Sequence, residues 1–467
     1  MSHPQDNASD QPFHSLPLRK TLLQSLTDLG IVSMTPIQSR ALPPLLAQKD
    51  VIARARTGSG KTIAFGLSLL QRLEPQSFRV QALVLCPTRE LADQVSGHLR
   101  QLAKQIGNVK VLTLCGGTPI GPQIGSLKHS AHVVVGTPGR VLKHLRQKTV
   151  RFNGLQTLVL DEADRMLDMG FSEEIDAILE FLPADRQSLL FSATYPDSIA
   201  QMSARVQRKP ELVDVTETQA PIQVAQHWLR TARHSRMSDL VRALNTWGGS
   251  LNLVFCNTKV DCAAVSTYLI DKQISAVALH GDMEQSERSL ALVRLHNHSA
   301  TVLVATDVAA RGLDIQSLDA VFNYELPMQP EVYVHRIGRT GRAGQSGTAV
   351  SLVAAREESR LSSLLEREPG LEEIAFAGKA EPAQAAPHLQ ATMRTIEVNG
   401  GRKNKLRAGD LLGAITAGGR VPGSNVGRIE LFDNVAFVAV AHDSAAVAVK
   451  QLNSKIKGRL FKARFAR

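Results

Sequence analysis

A chain of 467 residues exceeds what one hydrophobic core can organise, and its 43% apolar and 21% charged content excludes a disordered or fibrous protein. No run of about eighteen apolar residues offers a membrane span, and the first twelve residues are polar, without a secretory core. A soluble, cytoplasmic chain is expected. The net charge of +11 is concentrated at the end: residues 391–467 hold fourteen Lys or Arg against five Asp or Glu, an excess of nine that leaves two for everything before it. So local an excess points to nucleic acid, with plain solubility as the alternative. Cys86, Cys115, Cys256 and Cys262 lack zinc-ligand spacing and read as core thiols.

Residues 1–12 are expected to form a polar, disordered tail. An amphipathic stretch over 18–29 leads to Gly30 and to Thr35-Pro36-Ile37-Gln38. A glutamine amide can pair its donor and acceptor with an adenine edge, although alone Gln38 reads as a surface residue. A short strand over 50–53 is followed by Ala55-Arg56-Thr57-Gly58-Ser59-Gly60-Lys61-Thr62 and a helix over 63–73. This is the pattern of a phosphate-binding loop. Its glycines admit backbone N–H groups to phosphate oxygens, Lys61 reaches the β- and γ-phosphates, and Thr62 holds magnesium. Ala55 stands where the strict pattern has glycine.

Short strands over 82–86, 111–114, 133–135, 157–160 and 188–191 alternate with helical stretches, which predicts a parallel sheet. The strand over 157–160 ends in Asp161-Glu162-Ala163-Asp164, at the sheet edge where ligands bind. Taken alone these carboxylates read equally as a solvated acidic turn. Downstream of a phosphate loop, Asp161 becomes the second metal-holding side chain, and Glu162 is placed to orient and deprotonate an attacking water.

After a polar linker at 213–223, strands over 251–256, 276–279, 301–305, 320–324 and 348–353 predict a second α/β domain without a phosphate loop. It carries His335-Arg336-Ile337-Gly338-Arg339-Thr340-Gly341-Arg342. Three arginines spaced by three read alone as a solvated face. The glycines between them favour a loop, and a domain lacking its own phosphate loop can donate arginine fingers. Residues 366–390, rich in Ala, Pro and Glu, predict a flexible tether. The tail then reads as strand 395–398, helix 408–416, strands 426–431 and 435–440, helix 444–452 and strand 459–465. That order suits an RNA-recognition-type fold. Glu397 and Val435 stand where stacking rings are expected, and only Phe437 remains. Basic loops at Arg402, Lys403, Lys405 and Arg407, and at Lys455, Lys457 and Arg459, are therefore the expected RNA contacts, with Phe432, Phe461 and Phe465 in the core.

Asp161-Glu162-Ala163-Asp164, Gly58-Ser59-Gly60-Lys61-Thr62, Pro87-Thr88-Arg89-Glu90-Leu91-Ala92, Gly116-Gly117, Thr137-Pro138-Gly139-Arg140, Ser192-Ala193-Thr194, the run from Ala305 through Asp314 and the run from His335 through Arg342 occur in the order of the DEAD-box RNA helicases. The chain resembles that family over roughly residues 13 to 360. The resemblance implies an α/β protein with two RecA-like parallel-sheet domains in tandem, at 13–212 and 224–365, plus an RRM-like α+β RNA-binding domain at 391–467. It implies that Phe13, Gln38, Thr57, Gly58, Ser59, Gly60, Lys61, Thr62 and Asp314 bind ATP, with Ile31 where an aromatic usually packs on adenine. Thr62 and Asp161 would hold Mg2+, and Glu162, Lys61, Arg339, Arg342 and His335 would serve hydrolysis.

By the same resemblance Asp164, Ser192 and Thr194 couple hydrolysis to strand separation, with His335 near Asp164 and Ser192. Arg89, Gly117, Thr137, Arg140, Gln285, Arg288 and Thr306 would hold RNA. The tail resembles that of a bacterial branch of the family, which implies a hairpin of 23S ribosomal RNA in large-subunit precursors as the target. A monomer without a structural metal is expected. The rival readings are a general stress-response RNA helicase and an ATP-gated RNA clamp or scaffold.

Overall fold

Strands buried on both faces need an apolar residue at every position. The computed structural model, which describes residues 11–55, 58–216, 224–310, 318–341, 346–368, 370–376 and 386–466, shows this in the first half of the chain. Strands β1 (Val51–Arg54), β2 (Ala82–Leu85), β3 (Val111–Leu114), β4 (Val133–Gly136), β5 (Thr157–Asp161), β6 (Gln187–Ser192) and β7 (Glu211–Asp214) form one sheet in the order β3-β4-β2-β5-β6-β1-β7. Every pairing is parallel. Leu158 and Leu160 join one core layer with Leu83 and Leu85, while Val159 joins the opposite layer with Val84 and Val135. A shift of one residue would exchange the two faces.

Parallel direction decides where the loops gather. Those following β5, β6 and β1, three neighbours, share one half of the carboxyl edge of the sheet, and those following β3, β4 and β2 share the other half. The phosphate loop, the Asp161–Asp164 box and Ser192–Thr194 fall in the first half. Arg89, Gly117, Thr137 and Arg140 fall in the second.

A second compact unit follows the 217–223 segment. Its first sheet comprises β8 (Val224–Arg230), β9 (Asn252–Cys256), β10 (Ala276–Leu279), β11 (Val302–Thr306), β12 (Ala320–Asn323), β13 (Gly347–Val353) and β14 (Leu371–Glu373), ordered β10-β11-β9-β12-β13-β8-β14. It too is parallel throughout. We call these two parallel-sheet domains lobe 1 and lobe 2.

The tail domain has an antiparallel sheet of β15 (Met393–Val398), β16 (Val426–Leu431), β17 (Ala436–Ala441) and, beyond a small hairpin of β18 (Lys455–Ile456) and β19 (Arg459–Leu460), β20 (Ala463–Phe465). Its order is β16-β17-β15-β20. Helices Ala408–Thr416 and His442–Leu452 cover one face through Leu411, Ile415, Ala445, Ala448 and Leu452.

The structure differs from the sequence reading at the seams. Residues 213–216, expected in a linker, include the end of β7 and the fully buried Val215. The tether expected over 366–390 is docked wherever it is described: β14 extends the lobe 2 sheet, Phe376 lies 5.5 Å from Trp247, and Leu389 is buried in the lobe 2 core. Residues 1–10, 217–223, 369 and 377–385 of the expected tail and linkers lie outside the described residues. The last strand, expected over 459–465, is divided between β19 and β20. All four cysteines are buried thiols, and among the described residues no helix is long and apolar enough to cross a membrane.

Candidate functional site

The phosphate loop leaves β1 and enters the helix Lys61–Arg72 through Gly58 and Gly60, whose φ values of 83° and 93° lie where glycine alone is at ease. Gly60 has a second reason to be glycine, since a Cβ there would stand 2.4 Å from Gln38 Nε2. Gln38, only 1% exposed, accepts from Thr35 N at 2.9 Å and donates to Gly60 O at 3.1 Å, and Thr35 Oγ1 donates to Ser59 O at 2.8 Å. The helix Pro36–Leu46, capped by Thr35 and Gln38, is thereby riveted to the loop. The amide keeps one hydrogen and one lone pair beyond these bonds. Phe13, 3% exposed, is part of the lobe 1 core, and Ile31 packs against that core. Lys61 is buried, with Nζ donating to Ala55 O at 2.8 Å; Thr62 follows it in the first helical turn. Thr57 lies outside the described residues. Gly60→Ala is expected to weaken ATP binding at least about tenfold, because a left-handed Cβ must displace Gln38; equilibrium binding of a fluorescent nucleotide measures it.

At the end of β5, Asp161 is 3% exposed and its Oδ1 has no hydrogen-bond partner. Burial pushes its pKa up to about 7, with Lys61 pulling the other way and Glu162 adding to the rise. A buried carboxylate oxygen left orphaned beside a lysine and the phosphate loop suits a hard divalent cation. Asp161 and the Thr62 hydroxyl therefore fit Mg2+.

Glu162 takes φ 54° and ψ 52°, a left-handed conformation unusual for a glutamate, as it caps the helix Ala163–Asp168. Its carboxylate is 3.0 Å from Arg165 Nη1 in a buried pair, but neither atom is aligned for a hydrogen bond. The Glu162 carboxylate is thus held without being saturated. Asp164 Oδ2 accepts from Ala193 N at 3.2 Å, Thr194 N at 3.0 Å and Thr194 Oγ1 at 2.9 Å, tying the end of β5 to the end of β6. Burial works against the Asp164 carboxylate, yet Lys61 and the Thr194 hydroxyl hold its pKa below the usual range. Ser192 is buried at the end of β6.

On the other half of the edge, Thr88 caps the helix Arg89–Leu102 by accepting from Leu91 N at 3.3 Å. Arg89 lies so close over Gly117, at φ 74°, that a Cβ there would fall 1.6 Å from Nη1. Thr137 caps the helix Pro138–Arg146. Arg140 donates through Nη1 to Gln123 Oε1 and through Nη2 to Thr118 O, both at 3.0 Å. Two arginines are thus fixed on adjacent loops.

The sequence reading missed what orients Arg140. His144 is buried, with Nε2 donating to Gln123 Oε1 at 2.9 Å and Nδ1 accepting from Thr149 Oγ1 at 2.7 Å in the neutral ring. Burial pushes its pKa down to about 4, and Arg140 and Lys143 add to the fall. Between pH 6.5 and 4 the unfolded chain binds the proton more readily. The stability this ring contributes is therefore complete above pH 6.5 and lost as pH falls toward 4. Thermal melts across that range should show a flatter acid limb for His144→Gln than for the wild type.

In lobe 2, Gln285 and Arg288 begin the helix Gln285–His296, with Arg288 Nη1 donating to His280 O at 3.3 Å, and Thr306 ends β11. His335 lies in the last turn of the helix Pro330–Ile337, and the buried Arg339 follows it. Asp314 and Arg342 lie outside the described residues. The residue that organises this region is Arg336, which the sequence offered only as one of three arginines. It is 1% exposed, and all five of its N–H donors are used. Nε and Nη2 grip Asp307 at 2.7 Å each, Nη2 also reaches Asn257 Oδ1 at 2.7 Å, and Nη1 reaches Asn323 Oδ1 at 3.1 Å and Glu325 O at 2.7 Å. One side chain thereby joins the ends of β9, β11 and β12.

In the tail, two basic loops far apart in sequence meet. Asp410 Oδ2 accepts from Arg407 N at 2.8 Å and pairs with Lys457 Nζ at 2.7 Å. Arg402 N and Lys403 N donate to Phe432 O and Asp433 O, and Lys403 Nζ is 3.2 Å from Asp433. Lys405 and Lys457 both take left-handed backbone at φ 59° and 50°. Lys455 and Arg459 are exposed on the hairpin. The uncovered sheet face carries a Glu397–Arg464 pair at 3.0 Å, and Phe437 meets Phe432 edge-on, so it forms no stacking platform. Phe461 is in the core and Phe465 packs against it.

Residues 35–202 match the DEAD/DEAH box helicase family, residues 235–344 the helicase conserved C-terminal domain, and residues 395–465 the DbpA RNA binding domain. The chain is 50% identical over 444 residues to the ATP-dependent RNA helicase DbpA of Escherichia coli (strain K12), covering 95% of this chain and 96% of that protein. It is 42% identical over 353 residues to the DEAD-box ATP-dependent RNA helicase CshA of Bacillus subtilis (strain 168), covering 75% and 71%. Among solved structures, S. cerevisiae Dbp5 bound to RNA and ADP BeF3 superposes with a TM-score of 0.71 at 30% identity, over 78% of this chain and 95% of that one. The chain belongs to the DEAD-box family of ATP-dependent RNA helicases and ends in a DbpA-type RNA-binding domain.

Proposed function

We propose that this helicase acts on a hairpin of 23S ribosomal RNA during large-subunit assembly, as a cytoplasmic monomer whose tail anchors the RNA while the two lobes hydrolyse ATP and separate a neighbouring duplex. The observation that supports the tail's role is the convergence of its two basic loops on Asp410, which suits the phosphates of a folded RNA better than stacked single bases. In lobe 1, Lys61 and the loop backbone hold the phosphates, Gln38 sets the loop, and Glu162 takes the proton of the attacking water. Asp161 and Thr62 would hold Mg2+, which would supply positive charge beside the bound phosphates. Arg339 and Arg342 supply the arginine fingers, Arg89, Arg140 and Arg288 hold the RNA backbone, and Asp164 ties the catalytic strand end to Thr194.

Charge reversal at Lys403, Lys455 and Lys457 tests the target. In the full chain this triple variant should lose about tenfold or more of its preference for 23S-derived RNA in stimulated ATP hydrolysis, while unrelated RNA stimulates both proteins alike. A wild type stimulated equally by 23S-derived and unrelated RNA overturns the dedicated target and leaves a general RNA helicase, whereas a variant that keeps the wild-type preference removes the basic loops from the anchor. An ATP-gated clamp is tested separately: it would separate duplexes equally well as wild type and as Glu162→Gln, whereas a helicase that turns over loses that activity in the variant.

A further inference from the structure

The tail domain is fastened to lobe 2 along the amino edge of the lobe 2 sheet. Ser275 N and Thr301 Oγ1 donate to Leu389 O at 3.0 and 2.7 Å, Ala391 N donates to Ser275 Oγ at 2.9 Å, and Thr395 of β15 is hydrogen-bonded to Ser299 and, at 3.4 Å, to Asn297 Nδ2. Beside these contacts the two domains enclose a cavity of about 640 Å³. Arg294 comes from lobe 2, and Arg394, His442 and Phe465 come from the tail. Among the described residues no aspartate or glutamate lines it.

The two arginines are in an unusual position. Arg294 is partly buried, burial pushes its pKa down, and among the described residues no carboxylate pairs with it. The Arg394 guanidinium lies 3.7 Å over the Phe465 ring and likewise has no carboxylate partner there. Two guanidinium groups lining one cavity without an anion are costly to desolvate. The site therefore calls for an anion with some apolar bulk. Free phosphate satisfies the charge alone; a nucleic-acid backbone also brings a sugar or base to the apolar wall that Met393 and Phe465 give the cavity.

The cavity is also distinct from the family's RNA track. The helix Gln285–His296 starts after β10, at the carboxyl edge, and returns to the amino edge to feed β11. Arg294, six residues beyond Arg288, is thus about 9 Å further along the helix, at the opposite edge from Gln285 and Arg288.

We propose that this cavity is a second RNA-backbone site, in which Arg294 and Arg394 hold a phosphodiester of single-stranded RNA flanking the anchored hairpin and Phe465 packs on the adjoining sugar or base. The proposal rests on the reading of the tail as an RNA anchor. Occupancy would bridge lobe 2 and the tail, so that a bound strand sets the orientation of the anchored RNA.

The test uses the full chain and a labelled hairpin RNA with or without a single-stranded extension of about ten nucleotides. In the double variant Arg294→Gln and Arg394→Gln, affinity for the extended RNA should fall about tenfold, and the slope of log affinity against log salt should shrink by about 0.7. Affinity for the hairpin alone should change less than about twofold. The double lysine variant, Arg294→Lys with Arg394→Lys, should restore most of the salt slope. An unchanged tryptophan unfolding midpoint shows that lobe 2 remains folded. The proposal is overturned if extended RNA binds the double glutamine variant as tightly as wild type while the Lys403, Lys455 and Lys457 variant loses binding. It is also overturned if titration with inorganic phosphate shows binding that the double variant abolishes without any change in RNA affinity. Should neither variant alter RNA binding, the anchoring role of the tail falls with it.

Discussion

Arg336→Ala should destabilise lobe 2 by about 3–5 kcal/mol, a large share of the roughly 5–15 kcal/mol that holds a domain together. The substitution strands Asp307, whose side chain is only 24% exposed, and leaves the oxygens of Asn257, Asn323 and Glu325 without the donors that now reach them. Losing one partner of a buried ion pair costs more than the pair contributes, because the remaining charge stays desolvated. Arg336→Lys should recover only part, since an ammonium cannot reproduce the planar fork that reaches three strand ends. The chain has two tryptophans, Trp228 and Trp247, and both belong to lobe 2, so the fluorescence transition in urea reports this domain selectively. A midpoint within experimental error of wild type would show that Arg336 is not the clasp. RNA-stimulated hydrolysis should fall as well, because Asp307 follows Thr306 and Arg336 stands between His335 and Arg339.

Arg339→Ala should reduce RNA-stimulated turnover by about 10³–10⁵-fold, equivalent to roughly 4–7 kcal/mol of transition-state stabilisation, with ATP affinity changed only a few-fold. An arginine finger meets charge that grows as the γ-phosphoryl group transfers, so its removal lowers kcat far more than binding. Steady-state hydrolysis at saturating RNA, beside equilibrium binding of a fluorescent ATP analogue, separates the two quantities. Turnover within tenfold of wild type would remove Arg339 from the reaction.

The central strands were readable because burial on both faces leaves a nearly unbroken apolar run, as in residues 157–160. The strands that escaped were those where this signal fails. Glu211–Asp214 and Leu371–Glu373 are edge strands, mostly exposed, and Val224–Arg230 mixes Gln226, His227 and Arg230 among its apolar residues. Their backbone partners, not their side chains, make them strands. The stretch over 366–390 reads as a free linker for a related reason: its content is Ala, Pro and Glu, whereas its described parts dock through the edge strand Leu371–Glu373 and through Ile374, Phe376 and Leu389.

What the sequence determined by itself was chemistry written in short, contiguous runs. The phosphate loop needs glycines next to a lysine, and the acidic box needs carboxylates at the end of an apolar strand, so each is complete within a few residues. Which distant groups share a site follows from folding alone. Gln38 holds the loop at Gly60, His144 steadies Arg140 through Gln123, Arg336 clasps three strand ends, two basic loops meet at Asp410, and Arg294 and Arg394 line one cavity from two domains. These are side-chain bonds and approaches between positions that are far apart in the chain or unremarkable in composition. No spacing announces them, because the folded sheets, and not the local run of residues, set the distances.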